Sequence, residues 1–297
     1  MTDNTPSSAD LAADLVDLLD VEEIDTDLYR GRRSRGGVGR VFGGQVIAQA
    51  LQAAQRSTDP SGKIAHSLHA YFMRAGAEDH PIIYRVVRDF EGKSFATRRV
   101  IAMQRGAPIL NMAASFQLPE EGFAHQDAMP DVPPPEELRS EAELRAADSA
   151  GVDEKFRRAL LRPRPIELRP VLPRRWASPV PTDPVQHSWF RIVAPIGDDP
   201  AVHRAILAYA SDMSLLGTCM LPHGVNWTSP GFQSASLDHA VWLHEPFRAD
   251  EWLLYTTDSP WSGHGRGMNR GKIFSADGRL IASVAQEGLI RLREPRG

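Results

Sequence analysis

A strand that recurs half a chain apart constrains this sequence more than any other feature. Ser67-Leu68-His69-Ala70-Tyr71-Phe72-Met73 and Leu237-Asp238-His239-Ala240-Val241-Trp242-Leu243 align when His239 is set on His69 (239 − 69 = 170). Bulky residues on both faces place such a strand inside a sheet rather than at its edge. Downstream segments keep the same order, and Gly278 falls on Gly106 (278 − 106 = 172). The two offsets differ by only a short indel, so the chain reads as two copies of one unit.

Each copy is a helix followed by antiparallel strands. In the first, Gly43 to Arg56 is apolar or small on nearly every side, which marks an enclosed helix. Strands are predicted at about 64–74, 82–89, 95–105 and 108–118, the last two joined by a turn at Arg105-Gly106. In the second, a strand over Gln186 to Ala194 leads to Asp199-Pro200, a capping residue and a first-turn proline that start a helix running to Asp212. Strands at about 234–244, 252–258, 266–276 and 280–291 follow. This is an α+β arrangement, not alternating βαβ. A buried helix wrapped by a curved antiparallel sheet, present twice, is a double hotdog, with the sheets joined edge to edge.

Outside the repeats, Leu11, Leu15, Leu18 and Leu19 give an amphipathic helix over 8–19 that Ser8 can cap. Twelve of the 23 prolines fall between Pro119 and Pro184, which marks a long linker over the surface. A charged helix is expected inside it, around Glu136 to Leu161, with a strand at Ile166 to Val171 near its end. The divisions are therefore 1–30 (helix and lead-in), 31–118 (first hotdog), 119–165 (linker) and 166–297 (second hotdog).

The formal net charge of −4 argues against nucleic acid as a partner. No uninterrupted apolar run approaches a membrane span, and the acidic N-terminus lacks a signal-peptide pattern, so a cytoplasmic protein is expected. A single cysteine, Cys219, excludes internal disulfides and cysteine-clustered metal sites. Neither a metal nor an organic cofactor is implied. Gly-x-Ser-x-Gly, His-Glu-x-x-His and Cys-x-x-Cys are missing, and the glycine-rich stretches at 37–39 and 263–267 do not make a nucleotide loop.

The candidates for chemistry are polar residues where the pattern expects apolar ones. Asp212 ends a helix that should be buried, at the unfavourable end of its macrodipole, a costly position that suits a base. An exposed Asp at a fraying helix end fits the same residues. Gln286 sits in the last strand where the first copy has Ala114 (286 − 172); there it could orient a water or merely face solvent. Ser236 opens the repeated strand and could equally be a strand-start serine. Gly43-Gly44-Gln45 leave helix-start amides free to point at a ligand. His69, His239 and His223 fit core hydrogen bonds more readily than metal or substrate, and Cys219 fits a small buried hydrophobe.

Taken together, Phe42-Gly43-Gly44-Gln45, His66-Ser67-Leu68-His69-Ala70-Tyr71-Phe72, Ala210-Ser211-Asp212, Pro222-His223-Gly224, Ser236-Leu237-Asp238-His239 and Val284-Ala285-Gln286-Glu287-Gly288 resemble acyl-CoA thioesterase II, the TesB-type family. The resemblance runs from about residue 10 to the last strand. It implies the double-hotdog fold and hydrolysis of acyl-CoA by a water held jointly by Asp, Thr or Ser, and Gln, which fall on Asp212, Ser236 and Gln286. A familiar member has Thr where this chain has Ser236. Gly43, Gly44, Gln45 and His69 are expected at the substrate and oxyanion site. Dimers or tetramers of the chain are expected. The alternatives are a hotdog enoyl-CoA hydratase and a non-catalytic acyl-CoA-binding module.

Overall fold

The computed structural model describes residues 6–34, 37, 39–58, 62–149, 157, 160–173, 179–227 and 229–293. Helix α1 (Ser8–Leu19) is capped by Ser7, not Ser8: the Ser7 side chain accepts from the Asp10 amide, and Asp10 returns the bond to the Ser7 backbone. Such a capping box contributes about 1 kcal/mol. Strands β1 (Val21–Asp25) and β2 (Leu28–Gly31) lead into α2 (Gly43–Arg56), in which every residue from Gly44 to Gln55 is buried. The glutamines of α2 tolerate burial because they are bonded. Gln49, for example, donates to the Leu18 and Arg32 carbonyls and accepts from the Tyr84 hydroxyl.

Strands β3 (Ile64–Phe72), β4 (Ile83–Glu91), β5 (Phe95–Gln104) and β6 (Ala107–Gln117) complete unit one. Unit two contains β7 (Ile166–Pro170), β8 (Val185–Ile192), α4 (Pro200–Ser211), a 3-10 segment over Leu215–His223, β9 (Phe232–Ser236), β10 (Asp238–Leu243), β11 (Leu253–Gly263), β12 (Arg266–Ser275) and β13 (Leu280–Leu292). Among the described residues these form one antiparallel sheet ordered β1-β2-β4-β5-β6-β3-β10-β13-β12-β11-β8-β7, with β9 also on β13. The repeated strands β3 and β10 pair with each other, Leu68 opposite Val241 and Ala70 opposite His239. Each is therefore the edge of its own unit and the middle of the joined sheet. Only the inner face of the seam is covered by the core; the outer face exposes His69, Tyr71 and Trp242.

The seam also corrects the repeat by one residue. His69 pairs with Ala113 and Ala240 with Ala285, and the hairpin offset of 172 carries Ala113 to Ala285. Ala240, not His239, therefore stands on His69, and Leu68 occupies the place of His239 (239 − 68 = 171). Burial agrees, since His239 and Leu68 face inward while His69 is exposed. A slip of one residue exchanges the faces of a strand.

The stretch expected as one strand over 234–244 is two, broken at Leu237. The Leu237 amide donates to Glu287 O and its carbonyl accepts from Phe72 N–H, both at 2.9 Å. Asp238 Oδ1 takes the Glu287 amide at 2.6 Å. This break inserts a residue, so Ser236 and His239, three apart, both present to the inner face.

Helices α2 and α4 pack antiparallel inside the sheet. Gly44 of α2 lies against the Tyr209 carbonyl of α4, and Gln55 Nε2 reaches the Ala201 carbonyl at 3.4 Å. The stretch Pro200–His223 is long and apolar enough to cross a bilayer by length and composition, although its apolar window is 72% buried within the protein. Here it is core.

The linker is a strap over the outer face of unit two. Trp189 Nε1 donates to Pro133 O at 2.9 Å, Gln126 reaches Gly278 O at 2.8 Å, and Met129, Val132 and Leu138 cover Trp189, Leu254 and Phe274. Among the described residues of the helix expected over 136–161, Arg157 and Leu160 are helical and the Leu161 amide donates to the Arg157 carbonyl at 2.9 Å. One 3-10 turn, Pro135–Glu137, precedes helix α3, Glu141–Asp148, which is capped by Ser140, and 150–156, 158 and 159 lie outside the described residues.

Candidate active site

Asp212 is the C-cap of α4 and only 8% exposed. The carbonyl end of α4 is an unfavourable place for a carboxylate, and two neighbours offset it. The start of α2, a positive dipole end, faces it: a Cβ on Gly43 would sit 2.8 Å from Asp212 Oδ2. Only glycine lets α2 come this close. Gln286, from β13, donates through Nε2 to Asp212 Oδ1 at 2.6 Å.

The same Nε2 lies 3.1 Å from His239 Nδ1, and His239 Nε2 lies 2.9 Å from Ser211 Oγ. Ser211 Oγ is also 3.0 Å from the Ala208 carbonyl, which can only accept. The directions follow from this end. Ser211 donates its one proton to Ala208, so it accepts from His239 Nε2–H, and His239 Nδ1 is left as the acceptor for Gln286. Burial pushes the His239 pKa down, against the opposing pull of Asp212 and Asp238, so the ring is neutral. Both N–H groups of Gln286 are thereby engaged. Its Oε1 is buried and has no hydrogen-bond partner among the described residues.

Ser236 pairs with Gly288, two residues along β13 from Gln286, on the same inner face. Asp212 and Gln286 are brought into direct contact, and Ser236 is placed beside them without a hydrogen bond to either in the structure. Gly43 and Gly44 precede the first helical amide with a backbone partner, Gln45 N–H to Phe42 O at 3.1 Å, so their N–H groups point out of the helix beside Asp212. Gln45 turns its side chain away, toward the Arg32 carbonyl at 3.4 Å. His69 is not brought to this site. It lies on the outer face, edge-on to Trp242 with ring centroids 4.8 Å apart.

His223 bonds Ser262 at 2.9 Å, away from Asp212. Cys219 is a core residue: its amide donates to Asn269 Oδ1 at 2.8 Å, and burial pushes its thiol up, which disfavours the thiolate. His239 makes core hydrogen bonds, as expected of it, and the polar partner that the sequence did not single out is Ser211. The seryl residue before Asp212 was part of a quoted motif, and its direction into the core is the signal that only a structure supplies.

Known proteins are similar to this chain over most of its length. A family model described as acyl-CoA thioesterase matches residues 172–289, and one described as acyl-CoA thioesterase N-terminal domain matches 32–117. The chain is 41% identical over 284 residues to acyl-coenzyme A thioesterase 8 of Homo sapiens, covering 93% of this chain and 88% of that one. Among solved structures it is similar to acyl-CoA thioesterase II TesB2 from Mycobacterium marinum, with 40% identity, a TM-score of 0.76, and 96% and 99% of the two chains covered. A hot dog fold protein of unknown function from Alicyclobacillus acidocaldarius aligns with a TM-score of 0.74 over 94% and 98% of the chains at 20% identity, a likeness of fold alone.

Proposed function

The chain belongs to the TesB-type acyl-CoA thioesterase II family, and on that premise we propose that Asp212, Gln286 and Ser236 hold the attacking water. The protein hydrolyses acyl-CoA thioesters to the free acid and coenzyme A. The observation that carries the residue assignment is the buried Asp212–Gln286 pair, with Gln286 Oε1 unpartnered among the described residues and the glycine start of α2 against Asp212.

Gln286 acts on the water through its carbonyl oxygen. Its amide protons go to Asp212 and His239, so Gln286 offers the water an acceptor. A water bound here donates one proton toward Asp212 and the other to Gln286 Oε1, and accepts from the Ser236 hydroxyl. One lone pair remains for the thioester carbonyl carbon. Water attacks as Asp212 takes its proton, and the carbonyl oxygen becomes an oxyanion received by the Gly43 and Gly44 amides. The C–S bond then breaks, and the coenzyme A thiolate departs with the proton that Asp212 returns. Serine keeps the hydroxyl of threonine but is freer about χ1.

The test is Asp212→Asn, followed by free-thiol release from acyl-CoA. The amide keeps the shape and removes the base, so kcat/KM falls by about 10²–10⁴ while acyl-CoA affinity persists. Ser236→Ala falls less. A folded Asp212→Asn enzyme within a few-fold of wild type overturns the assignment. The proposal extends to a homo-oligomer, dimer or tetramer. It is supported by the aromatic patch of Tyr71 (63% exposed) and Trp242 on the outer face of the seam. Light scattering on purified protein decides it.

A further inference from the structure

We infer that His239 and Ser211 are positioning residues that fix which end of the Gln286 amide faces the attacking water. The inference rests on the reading of the site given above. The chain of bonds has one consistent polarity. It begins at the Ala208 carbonyl of α4, an acceptor that cannot reverse, and runs through Ser211 Oγ at 3.0 Å and His239 Nε2 at 2.9 Å. It leaves by His239 Nδ1 to Gln286 Nε2 at 3.1 Å. Each member is buried: Ser211 and His239 are 0% exposed and Gln286 1%. Solvent therefore cannot substitute for a missing partner.

Asp212 alone requires only one N–H of Gln286. The amide could still swing about that single bond, and Oε1 would then sample several directions. The second N–H, held by His239 Nδ1, fixes the amide plane and with it the direction of Oε1. The opposite imidazole tautomer would set an N–H against an N–H and break this bond. Ser211 excludes it, because its own proton is committed to Ala208 and it can only accept from Nε2–H. Tyr255 steadies the far end by donating to the Ser211 carbonyl at 3.0 Å. The polarity of a helix carbonyl is in this way passed through a serine and a histidine to the group that grips the water. In unit one the place of His239 is taken by Leu68, so the backbone there accepts an apolar side chain of similar size.

The experiment is steady-state thiol release from acyl-CoA by His239→Leu, His239→Asn and Ser211→Ala, each checked for folding. His239→Leu is expected to lower kcat by about 10–100-fold with KM within about threefold, since Gln286 is loosened but the substrate surfaces are not. His239→Asn returns an acceptor near the position of Nδ1 and recovers most of the loss. Ser211→Ala frees the tautomer and lowers kcat by about five- to tenfold. Because the effect passes through Gln286, His239→Leu added to Gln286→Ala lowers kcat no further.

A His239→Leu kcat within twofold of wild type overturns the inference. So does an equal loss in Leu and Asn variants, or the full loss repeated in the Gln286→Ala background. If His239→Leu does not fold, Ser211→Ala in the wild-type and Gln286→Ala backgrounds decides the same question. Asp212→Asn separates the two levels. Full activity there overturns the site itself, whereas an inactive Asp212→Asn beside a fully active His239→Leu overturns only the positioning role.

Discussion

The two units offer the same corner twice, where a helix ends over the hairpin that closes the sheet, and they fill it differently. At the end of α4 stand Asp212, His239, Asn269 and Gln286. At the end of α2 the C-cap is Ser57, and the equivalent strand positions hold Leu68, Arg98 and Ala114, with Arg98 opposite Ala114 as Asn269 is opposite Gln286. Arg98 is 1% exposed. Its Nε donates to Ser57 Oγ and its Nη1 to the Phe90 carbonyl, each at 3.0 Å, and its Nη2 pairs with Glu91. That corner is closed, with the cation's directions used inside the protein. The α4 corner leaves the buried Gln286 Oε1 without a hydrogen-bond partner among the described residues. The same frame thus holds an Asp–Gln–His cluster in one copy and a buried arginine in the other, and the corners differ at these four positions among others.

Making the α4 corner resemble its twin is the strongest way to break the comparison. Gln286→Ala copies Ala114 and is expected to cost about 10² in kcat, because both the water's acceptor and a partner of Asp212 disappear. Near-normal turnover, read as thiol release, would mean that the open amide oxygen is not what separates the corners.

The next effect is smaller. Gly43→Ala puts a methyl against Asp212 Oδ2, where 2.8 Å of room exists, and should lower kcat by about tenfold in a folded protein. Gly44→Ala instead meets the Tyr209 carbonyl at 2.6 Å, so it should reduce stability first, and the Gly44 position is a poor probe of the oxyanion amides. Urea midpoints beside kcat values distinguish the two glycines.

Arg98→Met sharpens the comparison from the other side. It should leave turnover per folded molecule unchanged and lower stability by about 2–4 kcal/mol, through lost packing and unsatisfied partners. A large fall in kcat without unfolding would show that the closed corner also serves the reaction.

The smallest effect is a pH dependence. Burial lowers the pKa of His239, and of His66, His187 and His244, below the ordinary 6.5. The unfolded chain then binds more protons than the folded one as pH drops below that value. Stability is complete above it and declines as pH falls from there toward the folded-state values. Each histidine contributes at most about 1.4 kcal/mol per pH unit. His239→Leu should make this acid limb shallower in urea titrations, while a limb of unchanged slope would remove His239 from it.

Much of this was legible before the structure. The enclosed helix, the hairpin at Arg105-Gly106 and the doubled order follow from periodicity and turn chemistry, because both are local. The Asp199-Pro200 helix start is equally local: the Asp199 side chain accepts the Ala201 amide at 2.8 Å. Three features were not legible, each for a physical reason. A strand with bulky residues at successive positions carries no parity signal, so the sequence match sets His239 on His69 and points a residue of the outer face at the site. The break at Leu237 depends on contacts from Phe72 and Glu287, which are remote in sequence. The amide direction of Gln286 is set by a chain of bonds from Ala208 that no motif records.

The seam between β3 and β10 bears on how this protein is made. Leu68 meets Val241 across 173 residues of sequence (241 − 68). A ribosome adding roughly 5–20 residues per second needs about 10–35 s to deliver the second strand after the first. During that interval the emerging chain carries a finished β3 whose outward backbone groups are unanswered, with Ile64 and Tyr71 exposed beside them. The sticky edge must wait for its own sequel, and on crowded polysomes the nearest identical edge belongs to a neighbouring nascent chain. Slower translation of the linker would lengthen that wait, which makes synthesis rate a determinant of yield.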